Sequence, residues 1–292
     1  MTFNFFKPIY NYLDIATEGQ CARKVINSKY KEISDMFVAC SHIGLQWIAL
    51  LLALIMSCTV LITYLVSIQR GHVNAELPFI SSTGAYPPES CVFGEGLNLA
   101  AFISLICSFL WHLIALERTK FMGIHQPNCL LQFMLSLSLL ASIGLTLVGN
   151  FQQVNVELVH DIGAGMAFFG TTVYIILCAI VSKRYLGTHW CIWIFRLLLG
   201  IVAAITSSLF SICHTISRVN FNGTQEESLT YRHPAQGGFL FYLCSTSFEW
   251  AAGFTITLFF MSWAYEFRSY ALQLPQVVKK HPSGSDVCSL KT

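Results

Sequence analysis

Apolar residues dominate six long stretches of the chain, and polar residues concentrate between these stretches and at the two ends. A helix needs about 20 predominantly apolar residues to cross the hydrocarbon core of a bilayer. Backbone groups within that core must bond inside their own segment, which selects helices. The pattern therefore predicts an all-α membrane protein, a six-transmembrane helix bundle. The predicted spans are residues 45–68, 96–116, 129–149, 162–182, 191–217 and 239–265. They divide the chain into an N-terminal tail (1–44), a membrane domain (45–267) and a C-terminal tail (268–292).

Lysine and arginine are distributed unevenly between the two sides of this bundle, and cytoplasmic loops are the basic ones. Thirteen basic residues fall on the side of the termini and three fall opposite. Both termini are therefore predicted to be cytoplasmic. The glycosylation sequon at Asn222 lies in a non-cytoplasmic loop of this topology, which agrees. Arg196, near the cytoplasmic start of the fifth span, is expected to reach the interface by snorkelling.

Composition narrows the class of protein further. Only 11% of residues are charged, against about 25% in soluble domains. The net charge of +2 gives no basic surface for nucleic acid. Most cysteines lie in apolar runs, so no disulfide framework is expected. Neither an HExxH metal motif nor a Gly-x-Ser-x-Gly context is present, and we expect no metal, cofactor or catalytic nucleophile.

The first non-cytoplasmic loop, GHVNAELPFISSTGAYPPESCVFG (residues 71–94), is unusually apolar for a connector. It is expected to fold over the helix ends as a small cap, with a free Cys91 thiol shielded beneath it. The alternative is a plain connector in which proline and glycine make ordinary turns. The motif residues are Gly71, His72, Pro78, Ser81, Pro87, Pro88, Glu89, Ser90 and Cys91.

Polar residues within the predicted spans are candidates for a functional site. Glu249 lies about 15 Å into the sixth span and requires a partner, water or a proton. His160 and Asp161, at the start of the fourth span, are predicted to lie near it, with Asn98 and Asn150 at similar depth. Asp161 has an alternative role as an anion at a helix N-terminus. Small residues in the fourth span, Gly163, Gly165, Ala167 and Gly170, predict close helix packing.

Three strings carry a family resemblance: the first loop, GNFQQVNVELVHDIGAGMAF, and FEWAAGF. They resemble the damage-regulated autophagy modulator (DRAM) family, within the DRAM/FRAG/Sfk superfamily of six-helix proteins, over about residues 62–267. The resemblance implies a multi-pass protein, lysosomal in several members, that promotes autophagy and links it to cell death. Related branches act in GPI-anchor lipid remodelling at the Golgi and in phosphoinositide control at the plasma membrane.

Two features depart from the DRAM pattern. The N-terminal tail is longer, and the Pro-Pro-Glu-Ser-Cys and Gly-Ala-Gly strings also resemble the plasma-membrane Sfk-type branch. The tail carries three tyrosine-based tetrapeptides, at Tyr10, Tyr12 and Tyr30, that resemble endocytic and lysosomal sorting signals. Sorting adaptors are thus expected partners, and a tyrosine in a short amphipathic helix is the alternative.

Three functions remain open from the sequence. The first is a non-enzymatic regulator of autophagy at the lysosomal or late endosomal membrane that binds a membrane lipid or a partner through its polar cluster. The second is a lipid-remodelling or phosphoinositide regulatory factor at the Golgi or plasma membrane, with His160, Asp161 and Glu249 in acid–base roles. The third is a small-solute transporter, which the one-sided placement of the polar residues disfavours.

Overall fold

The computed structural model describes residues 44–123, 127–224, 229–230 and 232–271. All of their regular secondary structure is helical, without strands. There are six long helices, and one short helix follows the last of them. They are α1 (Gln46–Arg70), α2 (Glu89–Phe121), α3 (Asn128–Asn150), α4 (Glu157–Arg184), α5 (Trp190–Val219), α6 (Phe239–Ser262) and the short α7 (Ala264–Phe267). The N-terminal tail with its three tyrosine motifs lies outside the described residues.

Residues 45–270 form one compact unit in which the six long helices make a ring. Each helix packs against its neighbours in the chain, and α6 returns to contact α1. The contact between α1 and α6 is the sparsest in the ring. The Leu45 amide donates to the Tyr270 carbonyl at 3.3 Å, so the unit begins and ends at the same end of the bundle.

Five of the helices, α1 to α5, are long and apolar enough to cross a membrane. Many of their large apolar side chains point outward and are exposed, such as Leu54 and Ile205. An exposed apolar belt of this kind is the surface expected in lipid. Helix α6 has 24 residues, contains Glu249 and several serines and threonines, and is not among these five. The all-α membrane bundle is confirmed at this level, and the six-span topology stays a prediction.

Two helices begin earlier than predicted. Helix α2 begins at Glu89, directly after Pro88, and helix α4 begins at Glu157. An acidic residue in the first turn favours each start, because it faces the positive end of the helix dipole. Asp161 consequently lies in the second turn of α4. Glu157, not Asp161, is the acidic residue in the first turn.

Helices α3 and α4 approach closely where glycines face the partner helix. A Cβ atom added at Gly163 would lie 2.7 Å from the Leu147 Cβ and 2.9 Å from the Gly144 carbonyl oxygen. Gly170 faces Ala141 in the same interface. Gly165 differs, since a Cβ there would meet nothing within 4 Å. Close packing thus involves Gly163 and Gly170, while Gly165 takes no part in it.

We expect Gly163→Ala to destabilise the bundle by about 1–3 kcal/mol, the usual cost of overpacking. The added methyl group would force α3 and α4 apart along their closest contact. Gly165→Ala is the matched control and should leave stability unchanged. Thermal unfolding of the purified protein in detergent measures both, and equal midpoints for the two variants would contradict this packing.

Candidate binding site beneath the cap

The segment between α1 and α2 forms a folded cap, which we define as residues 71–88. Its entry is a helix end at Gly71, whose φ of 70° lies in the left-handed region. The Gly71 and His72 amides donate to the Ile68 and Ser67 carbonyls, which satisfies the last turn of α1. A single 3-10 turn, Ser81–Gly84, lies buried at the centre of the cap. Pro87 and Pro88, joined by a cis peptide bond, lead into α2.

Hydrogen bonds from several elements hold the cap down. The Trp250 indole donates to the Pro78 carbonyl at 2.8 Å. The Thr83 and Thr63 hydroxyls lie 2.9 Å apart, and the Ser82 hydroxyl donates to the Leu229 carbonyl at 2.7 Å. These bonds connect the cap to α6, α1 and the loop before α6.

Aromatic packing and one histidine–glutamate contact also hold the cap against the helices. Phe79 is buried and contacts the rings of Phe210, His214 and Tyr242 edge-on. At the other side, the His72 Nδ1 atom lies 2.6 Å from a Glu89 carboxylate oxygen. Glu89 is 1% exposed, and its contact with His72 links the start of the cap to the first turn of α2. The next residue, Ser90, donates its amide to the Tyr86 carbonyl at the end of the cap.

Glu249 lies under the cap and bonds to its backbone. The Ile80 amide donates to the Glu249 Oε2 atom at 2.7 Å, and the Ser81 amide is a further donor. Glu249 is 4% exposed. Its carboxylate therefore meets two neutral backbone donors from the cap, and they stabilise the cap in its closed position.

A short relay of hydrogen bonds leads from Glu249 towards α4. The Ser81 hydroxyl donates to the Gln153 side-chain oxygen at 3.1 Å, and the Gln153 amide donates to Asp161 at 3.3 Å. Asp161 itself is exposed, whereas Gln153 is buried. Glu249 and Asp161 are thus linked through Ser81 and Gln153 rather than by direct contact. Gln153 belongs to the NFQQ string but was not among the residues predicted for the site.

His160 faces the same space from α4. Its Nδ1 atom lies 2.7 Å from the Phe151 carbonyl oxygen. A carbonyl can only accept, so Nδ1 carries a proton. The ring is 2% exposed and lines the same cavity as Glu249, without a hydrogen bond between the two.

Asn98 and Asn150 form a separate pair. Each side-chain amide donates to the other's oxygen, at 3.1 and 2.8 Å. The pair joins the third turn of α2 to the last residue of α3, near the surface. No hydrogen bond of the described residues connects it to Glu249, so the predicted five-residue cluster divides into two sites.

A cavity of about 390 Å³ lies below the cap, inside the ring of helices. Its roof is formed by Ile80, Ser81, Glu249 and His160, and its far end by aromatic side chains that include Phe260 and Trp263. Glu249 and Trp263 are fourteen residues apart, or about 21 Å along a helix. The cavity is thus long and narrow, with its ionisable groups at one end.

Serine hydroxyls form part of the cavity wall between α2 and α3. Ser104 pairs with Ser142 at 3.1 Å and Ser108 with Ser138 at 2.8 Å. Three of them also lie within hydrogen-bond distance of a carbonyl in the preceding turn, so each of these hydroxyl protons has two acceptors within reach. Their hydrogen bonding is met within the protein, and such pairs hold membrane helices together.

Arg196 corrects one prediction. It does not reach the interface by snorkelling but is fully buried, at 0% exposure. Its guanidinium binds both carboxylate oxygens of Glu266, at 2.6 and 2.8 Å. It also donates to the Ser262 hydroxyl and carbonyl and to the Ser182 hydroxyl. Burial of the charge is compensated because every part of the guanidinium is bonded to α4, α6 or α7.

The remaining predicted sites can be placed individually. Cys91 has a free thiol, but it is exposed on the first turn of α2 rather than shielded by the cap. The turn of the helix there directs it outward. Asn222 is exposed in the loop after α5, as a glycosylation acceptor requires. Among the described residues, no group of three His, Cys, Asp or Glu side chains could hold a metal ion.

Comparison with known proteins identifies relatives over the whole described unit. Residues 44–270 match the family profile described as Frag1/DRAM/Sfk1/Cwh43P N-terminal domain. DNA damage-regulated autophagy modulator protein 2 of Mus musculus is 27% identical over 238 residues, covering 79% of this chain and 86% of that protein. DNA damage-regulated autophagy modulator protein 1 of Homo sapiens is 27% identical, covering 79% and 94%.

A shorter match has higher identity. Modulator of macroautophagy TMEM150B-B of Xenopus laevis is 37% identical over 118 residues, or 39% of this chain and 47% of that protein. No solved structure matches the chain. The profile match spans the bundle, the cap and the cavity together, and the chain belongs to the Frag1/DRAM/Sfk1/Cwh43P family.

Proposed function

We propose that this protein is a non-enzymatic multi-pass membrane regulator of autophagy that binds a membrane lipid in the capped cavity. The observation that carries the regulatory role is its similarity, across 79% of the chain, to proteins named DNA damage-regulated autophagy modulators. The cavity supports lipid binding, since its long apolar interior ends in a small set of polar groups, which is the common form of a small-molecule site.

The arrangement of the polar groups favours regulation over catalysis. Glu249 accepts hydrogen bonds from the cap backbone, and His160 bonds to the backbone of the α3–α4 loop. Both are used to hold loops in place. The cap and the cavity thus share Glu249, so a molecule in the cavity can alter the surface that the cap presents to a partner.

Autophagic flux tests the regulatory role. Cells lacking the protein are compared with cells re-expressing the wild type, and turnover of a lipidated autophagosome marker is followed with and without a lysosomal inhibitor. We expect flux to fall without the protein and to recover with it. Unchanged flux after its removal, in fed and starved cells, would contradict the proposal.

We further propose that the protein resides in the lysosomal or late endosomal membrane, directed there by its N-terminal tail. Tyrosine-based tetrapeptides bind adaptors through the tyrosine ring and an apolar anchor. Replacing Tyr10, Tyr12 and Tyr30 together with alanine should move a tagged protein from lysosomes to the cell surface. Substitution with phenylalanine, which keeps the ring, is the control. A wild-type protein found only in the Golgi would favour the lipid-remodelling alternative.

Both termini are proposed to be cytoplasmic, with the cap and Asn222 on the luminal side. Asn222 is exposed in the same loop region whose Leu229 carbonyl contacts the cap. We expect an endoglycosidase-sensitive mobility shift in the wild type that is lost in Asn222→Gln. Protection of the C-terminal tail from protease in sealed vesicles would contradict this topology.

A further inference from the structure

The residues that line the cavity contain one carboxylate, Glu249, one imidazole, His160, and no lysine or arginine. A phosphate or carboxylate headgroup would meet the carboxylate of Glu249 without a fixed cation to balance it. Burial of an unpaired charge is costly. An anionic headgroup is therefore disfavoured at this end of the cavity.

The donors around Glu249 are all neutral, and they come from Ile80 and Ser81 of the cap. A carboxylate has acceptor sites for about four hydrogen bonds, so it can accept another donor from the cavity side. A hydroxyl or an ammonium group supplies that donor, and an ammonium group would also balance the charge.

The shape of the cavity limits the rest of the ligand. Ligand pockets range over about 300–1,000 Å³, and this one, at about 390 Å³, is near the lower end. It is also extended, over about 21 Å from Glu249 to Trp263. These dimensions leave room inside the ring of helices for one long apolar body.

The cavity also reaches the outer surface between α1 and α6. Three of its lining residues, Ser57, Leu61 and Phe254, are exposed, the last two at 56% and 67%. They flank the sparsest helix contact in the ring. A ligand can enter there sideways from the bilayer, tail first or head first, without opening the cap.

We propose that the cavity binds a single-chain amphiphile or sterol-like molecule with a non-anionic, hydrogen-donating headgroup, a hydroxyl or an ammonium, held at Glu249. The apolar body lies along the serine-paired wall of α2 and α3 and ends against Phe260 and Trp263. This inference rests on the proposed function for its biological meaning, but its chemistry stands on the cavity alone.

Three photoactivatable, clickable probes with the same long alkyl tail test the headgroup directly. They differ only in a terminal primary amine, alcohol or carboxylate. We expect the amine and alcohol probes to label the purified full-length protein at cavity residues, mapped by mass spectrometry, and the carboxylate probe to label them about tenfold less. Excess cholesterol and excess long-chain amine serve as competitors. Competition by either supports the inference and identifies the source of the headgroup.

Neighbouring substitutions on α4 provide the controls. Ala164 lines the cavity, whereas a side chain at Gly165 would meet open space. Ala164→Phe should abolish labelling by the amine and alcohol probes, and Gly165→Phe should preserve it. Glu249→Gln, which retains an acceptor but lacks the charge, should reduce amine labelling more than alcohol labelling. Thermal midpoints are measured for each variant, so that a failure to fold is recognised.

Equal labelling by the carboxylate probe, or labelling that Ala164→Phe leaves intact, would overturn the inference. Either result would leave the proposed regulatory role standing, because autophagic flux is measured independently. If removing the protein leaves autophagic flux unchanged while probe labelling is normal, the regulatory role is rejected and the binding site is retained.

Discussion

Replacing Arg196 with leucine is expected to destabilise the bundle by about 3–5 kcal/mol, the cost of leaving a buried charge unpaired. Glu266 would remain at 0% exposure without the guanidinium that binds both of its oxygens. The Ser262 carbonyl, at the last turn of α6, would lose its donor as well. We therefore expect a large fall in thermal midpoint and retention of the variant in the endoplasmic reticulum.

Arg218→Leu is the matched control for this experiment. Arg218 also pairs with a carboxylate, that of Glu157, but their side chains are 35% and 17% exposed. Water can solvate the remaining partner, so the loss should be much smaller. The double variant Arg196→Met with Glu266→Leu should recover much of the stability, since it removes both charges. Equal midpoints for Arg196→Leu and Arg218→Leu would contradict the buried pair.

Glu249→Leu is expected to loosen the cap, and Glu249→Gln to preserve it. Leucine leaves the Ile80 amide without its acceptor, at a cost of about 1–3 kcal/mol for a buried donor. Glutamine retains one oxygen for that bond. Cap closure is followed by maleimide labelling of Ser81→Cys, a position that is 8% exposed in the closed cap, in a Cys91→Ser background. The modification is mapped to residue 81 by mass spectrometry, because Cys58, Cys129 and Cys191 are also exposed.

The predicted result is slow labelling of Ser81→Cys in the otherwise native protein and in Glu249→Gln, and rapid labelling with Glu249→Leu. Cys91 in the native background reports full exposure, since its thiol lies on the surface of α2. Rapid labelling of Ser81→Cys with Glu249 intact would contradict a cap held closed by Glu249.

The helices were predictable because apolar length is a local property of the chain. The starts of α2 at Glu89 and of α4 at Glu157 were not predicted. Hydropathy locates only the apolar part of a helix, and both helices begin in the polar residues before it. An acidic residue after a proline or in a helical first turn would have indicated the first of these starts.

The contacts of the site were less accessible to sequence reasoning, because they join distant positions. Glu249 was found from its depth in an apolar run, but its partner Ile80 is 169 residues away in the chain and offers only a backbone amide. Arg196 was equally visible as a charge in a span, yet its pairing with Glu266 depends on how α5 meets the turn between α6 and α7. Gln153 carries no charge and gave no signal of burial.

The cavity was not predicted at all, since it arises from the spaces between five helices. The cavity matters for function only if a molecule bound in it changes the activity of the protein in cells. The cap shares Glu249 with the cavity roof, so the structure connects the two physically. We propose that this capped cavity is the part of the protein through which it regulates autophagy.

Autophagic flux in cells that lack the native protein and express Ala164→Phe or Gly165→Phe, at matched abundance and in the same compartment, tests this claim most directly. One substitution fills the cavity and its neighbour points into open space. We predict that Gly165→Phe restores flux to the level of the wild type and that Ala164→Phe does not. Full restoration of flux by Ala164→Phe, with its thermal midpoint unchanged, would contradict the claim.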